Sequence, residues 1–182
     1  EHRALLLIAT DRTDDGLAAL RAAVGADPGS LDLRWNAATL LAAKGKRAIA
    51  LSLLAGDDAV LSSLRVRLRK APKPGAAFGT SRALTRLAAD LAGQETQPLS
   101  ILLTRSALML GPADDRARLL LAAALAGEQA YGRALAALDG VKKDSPFYPA
   151  ALSERVGLRG KQGDEAGALA LAASLAGSPG AT

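Results

Sequence analysis

The strongest constraint on this chain is a block that occurs twice in one register between residues 81 and 146. In the first copy Leu84, Leu87, Ala88 and Leu91 lead to Ser100 and Pro112. In the second, Arg118, Leu121, Ala122 and Leu125 lead to Ala134 and Pro146. Ser100 to Ala134 and Pro112 to Pro146 are both steps of 34 residues. The small side chain recurs beyond the block: Gly16, Ala50, Ser100, Ala134 and Ala168 follow one another at intervals of 34, 50, 34 and 34. A fixed period of this length describes an array whose units bury a core only by stacking on their neighbours. The long interval exceeds the period by 16 residues, which fall around Asp57 to Pro72.

Composition says what the units are made of. Hydrophobic residues are 49% of the chain, mostly Ala and Leu, and aromatics only 3%; such a mixture favours helices over strands. The breaks predict an all-α chain of about eleven helices: 2–10, 14–25, 31–44, 46–55, one in 57–71, then 76–92, 97–110, 114–127, 130–139, 147–160 and 164–175. Gly45 fits a helix C-cap, Pro28 ends a repeat, and Pro149 falls in a first turn, where its missing N–H does no harm. In the insertion, Leu61, Leu64 and Leu68 share a helical face. Leu64, Val66 and Leu68 also alternate with Arg65, Arg67 and Arg69, as in a strand. An all-helical array offers a strand no partner, so a helix is expected.

The residue order resembles the tetratricopeptide repeat (TPR), with its large residue, Leu and small residue in one helix and its small residue and Pro in the next. The resemblance covers nearly the whole chain and implies an α-solenoid of antiparallel helix pairs wound as a right-handed superhelix. It divides the chain into TPR-like pairs over 1–56, the first of them truncated, an inserted helix and Pro/Gly linker over 57–75, three consecutive repeats over 76–176, and a flexible tail over 177–182. The run from Gly75 to Tyr148 also looks like large alphaproteobacterial repeat proteins, many of them exported. That implies a bacterial, periplasmic setting, while the sequence itself leaves the compartment open. The chain starts at Glu1 inside a helical pattern and is expected to be part of a longer protein.

In TPR proteins the first helix of each pair lines a concave groove, and its positions 2, 5, 6 and 9 face a bound peptide. Carried over, these are Asp32, Trp35, Asn36 and Thr39; Arg82, Thr85, Arg86 and Ala89; Arg116, Leu119, Leu120 and Ala123; and Ala150, Ser153, Glu154 and Gly157. The candidate groove residues are Trp35, Asn36, Thr39, Arg82, Arg86, Arg116 and Glu154. Trp35 has two readings, packing between helices or an aromatic anchor in the groove. Arg82 and Arg86 lie four apart on one helical face, where two guanidinium groups can grip a carboxylate. They resemble two cations of the clamp by which some family members bind acidic chaperone tails. The clamp's Lys at position 5 and its Asn at position 9 of an earlier repeat are absent.

Catalysis has little to work with. His2 is the only histidine and there is no cysteine, so hydrolase triads and zinc sites lack their side chains. The Asp pairs 14/15, 57/58 and 114/115 each stand where a helix begins and are expected to cap it. Gly45-Lys46 and Gly160-Lys161 lack the rest of a phosphate loop. No enzyme activity, cofactor or metal is expected, and no apolar run reaches the roughly 20 residues of a membrane span. The leading expectation is a scaffold that binds a protein or peptide, an acidic one given the net charge of +5. Between Arg34 and Arg86 there are 11 Lys and Arg residues against Asp57 and Asp58. Polyanion binding by that stretch, an accessory role beside an enzyme, and self-association through Leu169, Leu171 and Leu175 are the alternatives. Few aromatics and varied groove positions argue against nucleic acid.

Overall fold

The computed structural model describes residues 1–26, 30–69, 71, 73–92 and 96–176. The turn at 27–29, Lys70, Pro72, residues 93–95 and the tail expected over 177–182 lie outside the described residues. Eleven α-helices and no strand occur among those described, and they form two compact units, Glu1–Gly75 and Ala76–Thr182. Each is an all-α stack of the solenoid type.

The first unit holds α1 (His2–Ala9), α2 (Thr13–Ala26), α3 (Leu31–Ala43), α4 (Arg47–Leu53) and α5 (Ala59–Leu68). α1 pairs with α2 and α3 with α4. α3 packs on α1, and α5 in turn packs on α3. The insertion is thus a helix, α5, that follows α3 without a second helix of its own within the unit. Leu61, Leu64 and Leu68 point from it into the unit's core beside Ile8, Leu33 and Leu41. The second unit holds α6 (Ala76–Asp90), α7 (Gln97–Leu110), α8 (Asp115–Gly127), α9 (Tyr131–Leu138), α10 (Tyr148–Lys161) and α11 (Glu165–Ala176). They form three successive pairs, with Leu121, Leu125, Ala134, Leu138 and Leu158 in the core.

The backbone carries the sequence period independently of the side chains. Where the first helix of a pair ends, a residue takes a left-handed conformation: Asp11 at φ 65, Gly45 at 75, Gln129 at 56 and Gly163 at 80. In each case the next N–H reaches back five residues. Arg12 donates to the Leu7 carbonyl at 2.9 Å, Lys46 to Leu41 at 2.9 Å, Ala130 to Leu125 at 2.9 Å and Asp164 to Arg159 at 3.0 Å. This closes the carbonyls left open by the last helical turn and reverses the chain for the second helix.

Side-chain packing follows the same register. Ala4, Ala38, Ala88 and Ala122 are buried on the first helices, and Gly16, Ala50, Ser100 and Ala134 on the second. At Gly16 the approach is closest. A Cβ there would lie 2.7 Å from Cγ1 of Ile8 and 2.9 Å from its backbone nitrogen, so only glycine fits without a shift. Arginines close the far ends of second helices. Arg34 donates to the Leu53 and Ala55 carbonyls at 2.7 and 3.2 Å, Arg65 to Leu54 and Gly56 at 2.6 and 2.9 Å, and Arg155 to Leu138 at 2.7 Å. Each supplies donors to carbonyls that have no partner within their helix.

Candidate functional site: the first-helix face

The expected groove positions divide into three groups once side chains are placed. Those of the first unit belong mainly to its interior. Asn36 and Thr39 are buried, and the Thr39 hydroxyl donates to the Trp35 carbonyl at 2.9 Å. Trp35 is partly buried and packs on the unit's core. Of its two readings, packing is the one its surroundings match.

Arg82 and Thr85 form a second group, turned inward onto a carboxylate that their own helix does not hold. Asp114, side chain 1% exposed, receives Nη1 of Arg82 at 3.0 Å and lies 3.0 Å from the Thr85 hydroxyl. Its other role is to cap α8, accepting from the Ala117 N–H at 3.1 Å. The guanidinium of Arg82 also stacks over Phe78, 5.3 Å from the ring centre. The sequence offered Arg82 to a ligand's carboxylate; the structure gives it Asp114. Next in the chain, Asp115 is buried as well, and the Ser145 hydroxyl donates to it at 2.5 Å. Asp114 therefore caps α8, as expected, and ties it to α6, while Asp115, inside the first turn of α8, ties it to the loop before α10. Asp58 likewise caps α5 through the Val60 N–H at 2.6 Å. Asp14 and Asp15 lie inside the first turn of α2, with Asp15 paired to Arg12 at 2.7 Å.

The third group faces solvent. Arg86 is exposed and pairs along its own helix with Asp90 at 3.0 Å, Arg116 and Leu120 are partly exposed, and Ala123, Ala150, Ser153, Glu154 and Gly157 are open. Leu120 and Ala123 belong to a cavity of about 220 Å³, completed by Leu91, Ala92, Gln97, Ser100 and Ala124. Its walls come from the two residues that follow α6, the start of α7 and the middle of α8. The lining is apolar apart from Gln97 and the Ser100 hydroxyl. A space of this size suits one aliphatic side chain, being smaller than the pockets that enclose whole small ligands. Sequence reasoning placed Leu120 and Ala123 here but not Leu91, whose counterparts Leu41 and Leu125 are buried. Their shared register marks Leu91 as a core position and cannot reveal that it opens onto a cavity.

The basic stretch from Arg34 to Arg86 is divided between the two units. Much of its charge is engaged: Arg34 and Arg65 on carbonyls, Lys44 on Asp11 at 2.5 Å, Arg82 on Asp114 and Arg86 on Asp90. Two carboxyls have lowered pKa values. Asp11 is held down by its hydrogen bond and charge contact with Lys44. Asp164 is held down first by the Gly167 N–H and then by Arg159. Among the described residues no cluster of His, Asp or Glu is arranged to hold a metal, and no helix is long and apolar enough to cross a membrane.

Helix pairs in a 34-residue register, closed by recurrent left-handed turns, define the class: the chain has the tetratricopeptide-repeat fold. Among the solved structures that share it, two serve for comparison. One is YrrB, described as a TPR protein with an unusual peptide-binding site, at 17% identity and TM-score 0.50, over 95% of this chain and 81% of that one. The other is the MamA protein, at 13% identity and TM-score 0.51, over 96% of this chain and 90% of that one. No family model and no curated protein matches the sequence.

Proposed function

We propose that the chain is a non-catalytic protein-interaction module. Its second unit holds a peptide segment of a partner along the first-helix face of α6, α8 and α10. The observation that carries this is the cavity between α6, α7 and α8, which opens at the face positions Leu120 and Ala123. An aliphatic side chain of the peptide fills it, with Gln97 and Ser100 offering polar contacts at its wall. Arg116, one turn before Leu120 on α8, favours an acidic residue beside that anchor, and like Arg86 it does so by exchanging a partner it already has. Arg86 can contribute only by exchanging Asp90 for the peptide, which weakens its share. Exposed Glu154 selects a basic or neutral residue further along.

Selection of displayed random peptides on the full chain tests this. Binders are expected to carry an aliphatic anchor next to an acid and to lose at least tenfold in affinity on Ala123→Arg, which plugs the cavity from an exposed position. Arg133→Glu on α9 leaves their affinity unchanged. Binders indifferent to Ala123→Arg would remove the cavity from the account.

Self-association is a second reading, favoured by α11, which buries none of its residues and leaves Leu169 73% exposed. Sedimentation decides it: a dimer abolished by Leu169→Glu supports it, and a monomer at every concentration excludes it.

A further inference from the structure

α7 carries apolar side chains on both sides: Ile101 and Leu108, half-buried, pack on the unit's core, and a second set faces solvent. Its buried face carries Ser100, Thr104 and Ala107, and the Thr104 hydroxyl turns back onto the Ser100 carbonyl at 2.7 Å. On the opposite side, at helical spacing, stand Pro98, Leu102, Arg105 and Met109, with Leu99 and Leu110 at the shoulders. Leu102 is 61% exposed and Met109 83%. A helix that serves only to pack its own repeat is polar on the outer side, and here that side is mainly apolar.

The other pairs act as controls within the same molecule. The residues in register with Leu102 are Ala18, Ser52, Ala136 and Ala170, and all four are exposed. The position therefore faces solvent in every pair, and elsewhere it holds a small side chain. Nothing in the packing of α7 on α6 or α8 uses the leucine. A contiguous apolar stripe that folding does not require is the mark of an interaction surface.

The geometry points to the outer face of α7 as a docking surface for an amphipathic helix of a partner protein that carries a carboxylate among its apolar residues. A straight stripe about three turns long matches a helix laid along it. Arg105 lies within the stripe, exposed, with no ion pair or hydrogen bond among the described residues. An apolar partner with no acid leaves that guanidinium facing hydrocarbon, whereas one carboxylate opposite it satisfies both charges. The same residue argues against a second copy of this chain. Antiparallel packing of α7 on itself brings two Arg105 groups within about a turn of each other, an unfavourable like-charge contact.

A displayed library of amphipathic helices with randomised contact faces, panned against the full chain, tests the assignment. Enriched helices are expected to carry Asp or Glu between apolar positions. Their affinity falls at least tenfold on Leu102→Asp and on Met109→Lys, both at exposed sites, with the circular dichroism of the protein unchanged. Arg105→Glu reverses the preference from acids to Lys or Arg, and Ala123→Arg has no effect. Four results overturn the proposal: no enrichment, enriched helices without the acid, binding that survives Leu102→Asp, or a protein dimer that Leu102→Asp dissociates.

Discussion

Gln129 holds a φ of 56° at the close of α8, a conformation that costs an L side chain about 1 kcal/mol and glycine almost none. Its counterparts Gly45 and Gly163 avoid the cost. Replacing Gln129 by glycine is expected to raise unfolding stability by about 1 kcal/mol, less any loss from a more flexible unfolded chain, as read from the denaturant midpoint. Asp114 lies at the other extreme. Its carboxylate is buried, caps α8 and holds Arg82, so Asp114→Ala removes a cap and strands a largely buried cation. A loss of about 3 kcal/mol in chemical denaturation is expected, with Asp114→Asn in between. At Asp164 the effect is one of pH. The Gly167 N–H and Arg159 depress its pKa below the usual 3.8. A carboxyl lower in the folded than in the unfolded state adds stability above the unfolded value and loses it as pH falls through the folded one. NMR titration of the Asp164 carboxyl is expected to show a midpoint below 3.8, moving upward in Arg159→Gln. This is also the scale at which the sequence was least legible. It placed Arg82 and Arg86 on one face, but the partner of Arg82 lies in the next repeat's cap, 32 residues away. A cation in the first half of one helix and an Asp just before the helix two further on were both visible; that the packing brings them together was not.

Among the elements, the period made almost every helix legible. The left-handed turns at 11, 45, 129 and 163 keep the same register as the small residues at 16, 50, 134 and 168. Two glycines in α2 separate packing from propensity. Gly16→Ala forces the backbone of Ile8 away and is expected to cost about 1–3 kcal/mol. Gly25, in the same helix with nothing within 4 Å of its absent Cβ, becomes neutral or slightly stabilising as alanine. Thermal melts of the two variants shift in opposite directions, or only the first shifts. Residues 64–69 show why alternation alone misleads. Their strand-like pattern arises because Leu64 and Leu68 face the core while Arg65 turns aside to cap α4. Exposed Val66, between them, belongs to the helix surface. α7 was read correctly as a helix, but its exposed apolar face is invisible to a period that counts apolar residues without knowing which side is buried.

For the whole molecule, the repeated register predicts a surface more readily than a ligand. Small and apolar residues recur because stacking demands them, and the side chains that would name a partner lie at positions the stacking leaves free. In the first unit those positions turned out to be buried, as Asn36 and Thr39 show. In the second, Leu120 and Ala123 remain open at the cavity, and the proposed peptide site lies there. The most direct test is amide chemical-shift mapping of the full chain titrated with a peptide selected on it. Saturable shifts are predicted at Leu91, Ala92, Ser100, Leu120 and Ala123, with α9 and the first unit unmoved. Shifts centred on Lys46 to Arg69 in the first unit, or none near the cavity, would contradict the account.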